Sequence, residues 1–255
     1  MTETAPKTVA FVLYPGLTPL DIIGPLQVFG MLQMFTNEFL PVVVGATREP
    51  VPTDLPVGLS ASATFEEIPD PWAIIVPGGG GPPIAALGDE QLLDYIRSAA
   101  ETAEVVGSVC TGSLLLAAAG LLDGKTATTH WGFWQLLEKL GAIYTPERWV
   151  QNGRYITSAG ISAGIDMALH LVAQLAGEEI ARQVQLTLEY DPAPPFGGID
   201  WTKVDRNMMV PMIRGWVQDG LKDRPALLAK LSIAAAETEA RAAVKANGAR
   251  ELEYR

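Results

Sequence analysis

The sequence predicts an α/β fold: a flavodoxin-like, doubly wound and mostly parallel sheet with helices on both faces, followed by a helical C-terminal extension. Three observations carry the prediction. Continuous apolar runs such as residues 8–13 (TVAFVL) have no wet face, which is how a strand covered on both sides reads. Segments with helical spacing alternate with those runs, and the connections between them are short.

Taken in order, residues 8–13 form a central strand that stops at the turn Tyr14-Pro15-Gly16. Residues 17–33 then carry helical spacing from about Pro25 onward, with Asp21 near the start. Asp21 has two readings: a helix cap, or a site residue just past the carboxyl end of the first strand. Residues 39–46 supply a second strand, and the proline-richer stretch up to Pro71 reads as edge strands or a hairpin, including residues 59–65. Residues 72–76 are a further strand running into Pro77 and four glycines, Gly78 to Gly81. This turn lacks the GK[ST] ending of a phosphate loop and a GxGxxG element before a helix. Two uses remain for it: a mobile turn needing positive φ, or bare backbone N–H groups facing a reacting atom.

Residues 89–102 are an amphipathic helix leading into the segment around which the chain is organised, AEVVGSVCTGSLLLAAAG. Residues 104–109 read as a buried strand and 112–119 as a helix closed by Gly120. The only cysteine, Cys110, stands at the corner, with Ser108 and Gly112 two residues to either side as a tight nucleophile elbow requires. The positive end of the following helix is expected to lower its pKa and favour thiolate. The alternative is an inert buried thiol. Beyond it come a short strand at 125–129, His130 at a junction, and a helix at 131–140 stopped by Gly141. His130 reads equally as a base or orienting group for Cys110 and as a locally satisfied histidine. A hairpin around Asn152-Gly153 spans 149–157, helices follow at 163–176 and 178–190, and His170 within the first of these reads as packing or surface. The proline-rich segment 191–198 is extended, the chain is less patterned from Asp200 to Gly220, and an alanine-rich helix is expected over 225–247.

Composition narrows the function classes. The formal net charge of −11 disfavours partners held through phosphates, so nucleic acid is not expected. A lone cysteine and the lack of any leader-like or membrane-spanning run predict a cytoplasmic protein without membrane association. The 255 residues divide into a main α/β domain over 1–200 and a helical extension over 201–255.

The motifs LDIIGP (20–25), VPGG (76–79), SVCTGS (108–113), ATTHW (127–131), GISAGID (160–166) and the EY.PAPPF segment (189–196) resemble the ThiJ/PfpI superfamily, and within it the isocyanide hydratases. The resemblance covers roughly residues 8 to 198 and implies a fold like that of the class I glutamine amidotransferases. It implies an enzyme that hydrates an isocyanide to an N-formamide without metal or organic cofactor, as a homodimer acting on a small molecule. In that reading Cys110 is the nucleophile forming a covalent thioimidate and Asp21 is the proton-transfer group. Thr111 contributes its backbone N–H and hydroxyl to the intermediate, with Gly78 and Gly79 opposite. Protease-like and many deglycase-like members place histidine after the cysteine or glutamate at the position of Asp21, and this chain does neither. Two alternatives are a glyoxalase or deglycase activity on α-oxoaldehydes and a redox sensor built on the thiol.

Overall fold

The computed structural model describes residues 5–233. Its main sheet has seven strands in the order β10-β11-β7-β6-β1-β2-β5. In chain order these are β1 (Lys7–Leu13), β2 (Phe39–Gly45), β5 (Ala63–Thr64), β6 (Ala73–Val76), β7 (Val105–Val109), β10 (Trp149–Asn152) and β11 (Tyr155–Ser158). All neighbours run parallel except the β10–β11 hairpin, which turns at Gly153 with φ +62°. Two small ribbons lie outside the sheet, β3 (Val51–Pro52) with β4 (Gly58–Leu59) and β8 (Thr126–Ala127) with β9 (Ile143–Tyr144). Val9 through Leu13 are buried without alternation, because helices cover both faces of β1. From β1 the chain moves one way to β2 and then returns to the other side through β6, β7 and β11. The order therefore reverses between β1 and β6, and the carboxyl ends of these two strands open the crevice where such sheets place their sites.

The helices are α1 (Pro19–Leu32), α2 (Pro82–Ala86), α3 (Glu90–Thr102), α4 (Gly112–Ala118), α5 (Trp134–Lys139), α6 (Ala163–Ala176), α7 (Glu178–Thr187), α8 (Val210–Gly220) and α9 (Pro225–Leu231). Helix α1 begins six residues earlier than the spacing suggested, with Pro19 in its first turn and Pro25 inside it. Pro19 supplies a preset φ where no N–H is needed. Pro25 removes one ladder bond, and burial of Ile22, Val28, Phe29 and Leu32 outweighs that loss, with Phe29 edge-on to Phe11 of β1 at 5.9 Å. Asp89 caps α3 by accepting from Leu92 N–H.

Three expectations need correction. The segment 131–140 is a short 3-10 turn, Trp131–Phe133, followed by α5, and α7 stops at Thr187 rather than near Tyr190, where Glu189 turns to φ +49°. Residues 200–220 are more regular than their weak pattern suggests: α8 buries Val210, Ile213 and Val217. Its Trp216 stacks on Phe133 at 6.0 Å and lies against the bare faces of Gly80 and Gly81, so this helix closes over the glycine turn. Helix α9 accounts for the start of the alanine-rich helix expected over 225–247, and the rest of that segment lies outside the described residues. Among the described residues no helix is long and apolar enough to cross a membrane.

Candidate active site

Four strand ends meet at the crevice: β1 leads to Tyr14 and the first turn of α1, β6 to Gly78, β7 to Cys110, and β11 to Ile161. The elbow is built as its spacing requires. Cys110 takes φ +57°, a left-handed conformation that costs a residue with a Cβ about 1–2 kcal/mol and is held only where its surroundings fix it. They do. Its N–H faces the carbonyls of Ser158 and Ala159 at 3.1 and 3.2 Å, and its carbonyl accepts from the hydroxyls of Ser113 and Thr129, both at 3.1 Å. Gly112 is obligatory, since a Cβ there would stand 2.1 Å from the Val76 carbonyl oxygen.

The structure brings Asp21, Gly78, Gly79, Cys110 and Thr111 together. Asp21 is fully buried and is not the helix cap; Thr18 holds that position. Its Oδ2 accepts from Gly78 N–H at 3.1 Å, while Oδ1 is buried without a hydrogen-bond partner. The Cys110 thiol is close enough for each group to shift the other's protonation. Burial drives the Asp21 carboxyl up to about 7, against the pull of the Gly78 N–H and the thiol. Burial also pushes the Cys110 thiol up, and the Asp21 charge adds to it. The Ile161 and Thr111 backbone N–H groups work the other way, without prevailing. The expectation of a thiol lowered by the helix end is corrected accordingly: Cys110 is only 3% exposed, and desolvation of the thiolate outweighs the few N–H groups aimed at it.

The glycine turn owes its composition to close approach. None of its glycines has positive φ, but a Cβ on Gly78 would lie 2.3 Å from Thr111 N. Its amides are engaged: Gly78 N–H with Asp21, and Gly79 N–H with Thr111 Oγ1 at 2.8 Å. That hydroxyl in turn donates to the Gly79 carbonyl at 2.7 Å, so Thr111 presents its backbone N–H to the sulfur while its side chain ties elbow to turn. His130 does not orient Cys110. Its Nδ1 accepts from Gly132 N–H at 3.3 Å, and burial lowers its pKa to about 4, leaving a neutral local cap. The Thr-Thr-His-Trp stretch reaches Cys110 through Thr129 instead. His170 lies outside the site, against Trp149 at 5.4 Å.

Two site residues escaped the sequence reading. Tyr14, read only as part of a turn, is 3% exposed and donates to the Pro77 carbonyl at 2.8 Å. Ile161 takes φ +37° in a turn otherwise made of small residues and turns its N–H toward Cys110. The available signal was a β-branched residue placed among glycine, serine and alanine just past a strand end. Among the described residues no group of histidine, cysteine, aspartate and glutamate side chains is arranged to hold a metal ion.

The model of the DJ-1/PfpI family matches residues 7–174. The isonitrile hydratase of Pseudomonas putida is 47% identical over 189 residues, which cover 74% of this chain and 80% of the relative. The HTH-type transcriptional regulator CdhR of Pseudomonas aeruginosa is 30% identical over 179 residues, 68% of this chain and 52% of that protein. Among solved structures, a ThiJ/PfpI family protein from Pseudomonas syringae superposes with a TM-score of 0.76 at 35% identity, covering 88% of this chain and 90% of its own. Drosophila melanogaster DJ-1beta, at 23% identity and a TM-score of 0.64 over 72% of this chain and 98% of its own, shares the fold. On the match to most of its length and on these relatives, the chain belongs to the DJ-1/PfpI family.

Proposed function

We propose that this protein hydrates an isocyanide, R–N≡C, to the N-formamide R–NH–CHO, with Cys110 as nucleophile and Asp21 as proton carrier. The observation that carries the reading is the buried pair itself: a carboxyl raised to about 7 beside a thiol raised by the same burial, under one backbone donor. The 47% identity to an isonitrile hydratase supports the substrate class.

In this reading the thiol proton passes to Asp21, and sulfur attacks the terminal isocyanide carbon as Asp21 returns the proton to that carbon. One S–C bond and one C–H bond form, giving the thioimidate R–N=CH–S. Asp21, again a carboxylate, takes a proton from water as the water oxygen adds to the carbon, and protonates the nitrogen. The tetrahedral adduct collapses, its hydroxyl proton leaves with the cysteine sulfur, and thiol and formamide are released. Thr111 N–H and Ile161 N–H stabilise the sulfur when it carries charge. Gly78 and Gly79 serve by fixing Asp21 and Thr111. The Asp21 value of about 7 suits a group that must both accept and return a proton near neutrality.

The test is formamide production from an aryl isocyanide, followed by chromatography. Wild type is expected to turn over, while Cys110→Ala falls to background and Asp21→Asn loses at least about a hundredfold, the usual weight of a general acid–base group. A wild type inert toward isocyanides but active on methylglyoxal would replace this reading with the α-oxoaldehyde one.

A further inference from the structure

Tyr14 has no place in the steps above, yet it is buried one residue beyond β1 with its hydroxyl in the crevice. Its Oη donates to the Pro77 carbonyl oxygen at 2.8 Å. That carbonyl belongs to the same peptide unit as Gly78 N–H, the donor to Asp21 Oδ2 at 3.1 Å. The hydroxyl, one peptide and the carboxyl thus form a single hydrogen-bond chain. In a low-dielectric interior each bond of such a chain polarises the next, so a donor on the carbonyl side makes the N–H a stronger donor. The same bond fixes the tilt of the peptide plane and hence the direction of the N–H. The following peptide is held from the other side, by Thr18 N–H on the Gly78 carbonyl at 2.9 Å.

We propose that Tyr14 is a positioning residue for proton transfer, its hydroxyl acting through the Pro77–Gly78 peptide to aim and strengthen the backbone donor that holds Asp21. The proposal rests on the reading of Asp21 as the proton carrier. The groups facing Asp21 from its surroundings are the Gly78 N–H of the glycine turn, the Cys110 thiol of the elbow, Asp54 from the β3–β4 turn and Tyr14 itself. Asp54 accepts from the Thr18 hydroxyl and raises the Asp21 carboxyl from a distance, whereas Gly78 N–H lowers it. Burial keeps the Tyr14 phenol protonated, so it donates throughout the working range.

Tyr14→Phe keeps the ring and removes the donor. Asp21 is followed by carboxyl 13C NMR across pH in protein labelled at aspartate, and Cys110 by its rate of alkylation with iodoacetamide across pH. The Asp21 midpoint is expected to rise by about half a pH unit or more, the scale on which weakening one hydrogen bond to a charged group registers. The alkylation profile moves with it, and kcat on isocyanide falls several-fold at unchanged KM. Replacing Tyr14 by 3-fluorotyrosine, a stronger donor of the same shape, is expected to lower the Asp21 midpoint, which guards against a folding defect in the phenylalanine variant. A lowered melting temperature with both midpoints within about 0.2 unit of wild type overturns the proposal and leaves Tyr14 a purely structural residue. Because neither titration uses isocyanide, an inert wild type would defeat the substrate assignment while these two arms still decide the role of Tyr14.

Discussion

Two turns of small residues bring backbone to the elbow, and they do it by opposite means. The turn after β6, Gly78 to Gly81, keeps ordinary φ values and presses bare backbone against Thr111 and Gly112. It is buried at Gly78 and Gly79 and tied down by hydrogen bonds from Tyr14, Thr18 and Thr111. The turn after β11, Ala159 to Ser162, is partly open, places Ile161 at φ +37° and leaves that side chain 38% exposed. The first turn fixes the Asp21 carboxyl through the Gly78 N–H. The second points a donor at the sulfur from a strained position. Rigidity by close packing and direction by strain are thus divided between the two sides of one cysteine.

Each turn also packs against a titrating group, and the two groups pull stability in opposite directions. Asp21, under Gly78, is raised from 3.8 to about 7. Between those values the folded chain holds a proton the unfolded chain has lost, so stability falls as pH rises, by up to about 1.4 kcal/mol per pH unit and roughly 4 kcal/mol across the window. His130, whose ring lies against Gly160, is lowered from 6.5 to about 4. There the unfolded chain binds the proton the folded chain refuses, so stability falls as pH drops through that window. The wild-type slope between about pH 4 and 6.5 is the sum of the two. Asp21→Asn is expected to leave only the histidine slope, with stability rising with pH, and His130→Gln only the aspartate slope. Urea unfolding at a series of pH values separates them; unchanged slopes in both variants would break the contrast.

Glycine to alanine is expected to have unequal consequences in the two turns. A Cβ on Gly78 meets Thr111 N at 2.3 Å and Gly112 N at 2.6 Å, backbone that cannot yield, so Gly78→Ala is expected to cost about 3 kcal/mol and abolish turnover. A Cβ on Gly160 meets His130 Cδ2 at 2.5 Å, a side chain able to shift, so Gly160→Ala is expected to cost about 1 kcal/mol and leave turnover measurable. Chemical denaturation of the pair checks the ratio. The smallest effect belongs to Ile161→Gly. Relief of about 1–2 kcal/mol of left-handed strain is offset by the extra chain entropy of glycine, about 0.5–1 kcal/mol, for a net gain near 0.5 kcal/mol. The loosened N–H is expected to slow Cys110 alkylation at neutral pH, and a loss of stability in this variant would show that Ile161 is not strained in the folded protein.

Particular residues show how much was legible in the sequence and where legibility ended. The strand-to-helix corner at Cys110, the glycines crossing it and the parallel sheet followed from local signals: apolar runs without alternation, small residues at fixed offsets, and turn residues that admit few conformations. Helix α8 was not legible, because its burial of Val210, Ile213 and Val217 and the seat of Trp216 on Gly80 and Gly81 depend on a surface made by distant parts of the chain. Asp21 was ambiguous for the same reason. Its position near a helix start is first of all that of a cap, and only the packing of β6 beside β1 brings Gly78 N–H to its carboxyl. Local sequence sufficed for the central strands, the turn at the elbow and the placing of Cys110 and Asp21 past strand ends on one edge of the sheet. The electrostatics came only from packing in three dimensions: burial raises both Cys110 and Asp21, the Tyr14 hydroxyl reaches the Pro77 carbonyl and the Ile161 N–H faces the thiol, while His130 is taken up by Gly132. Conformational preference is set within a few residues along the chain, whereas desolvation and hydrogen-bond direction depend on which groups the fold brings near in space.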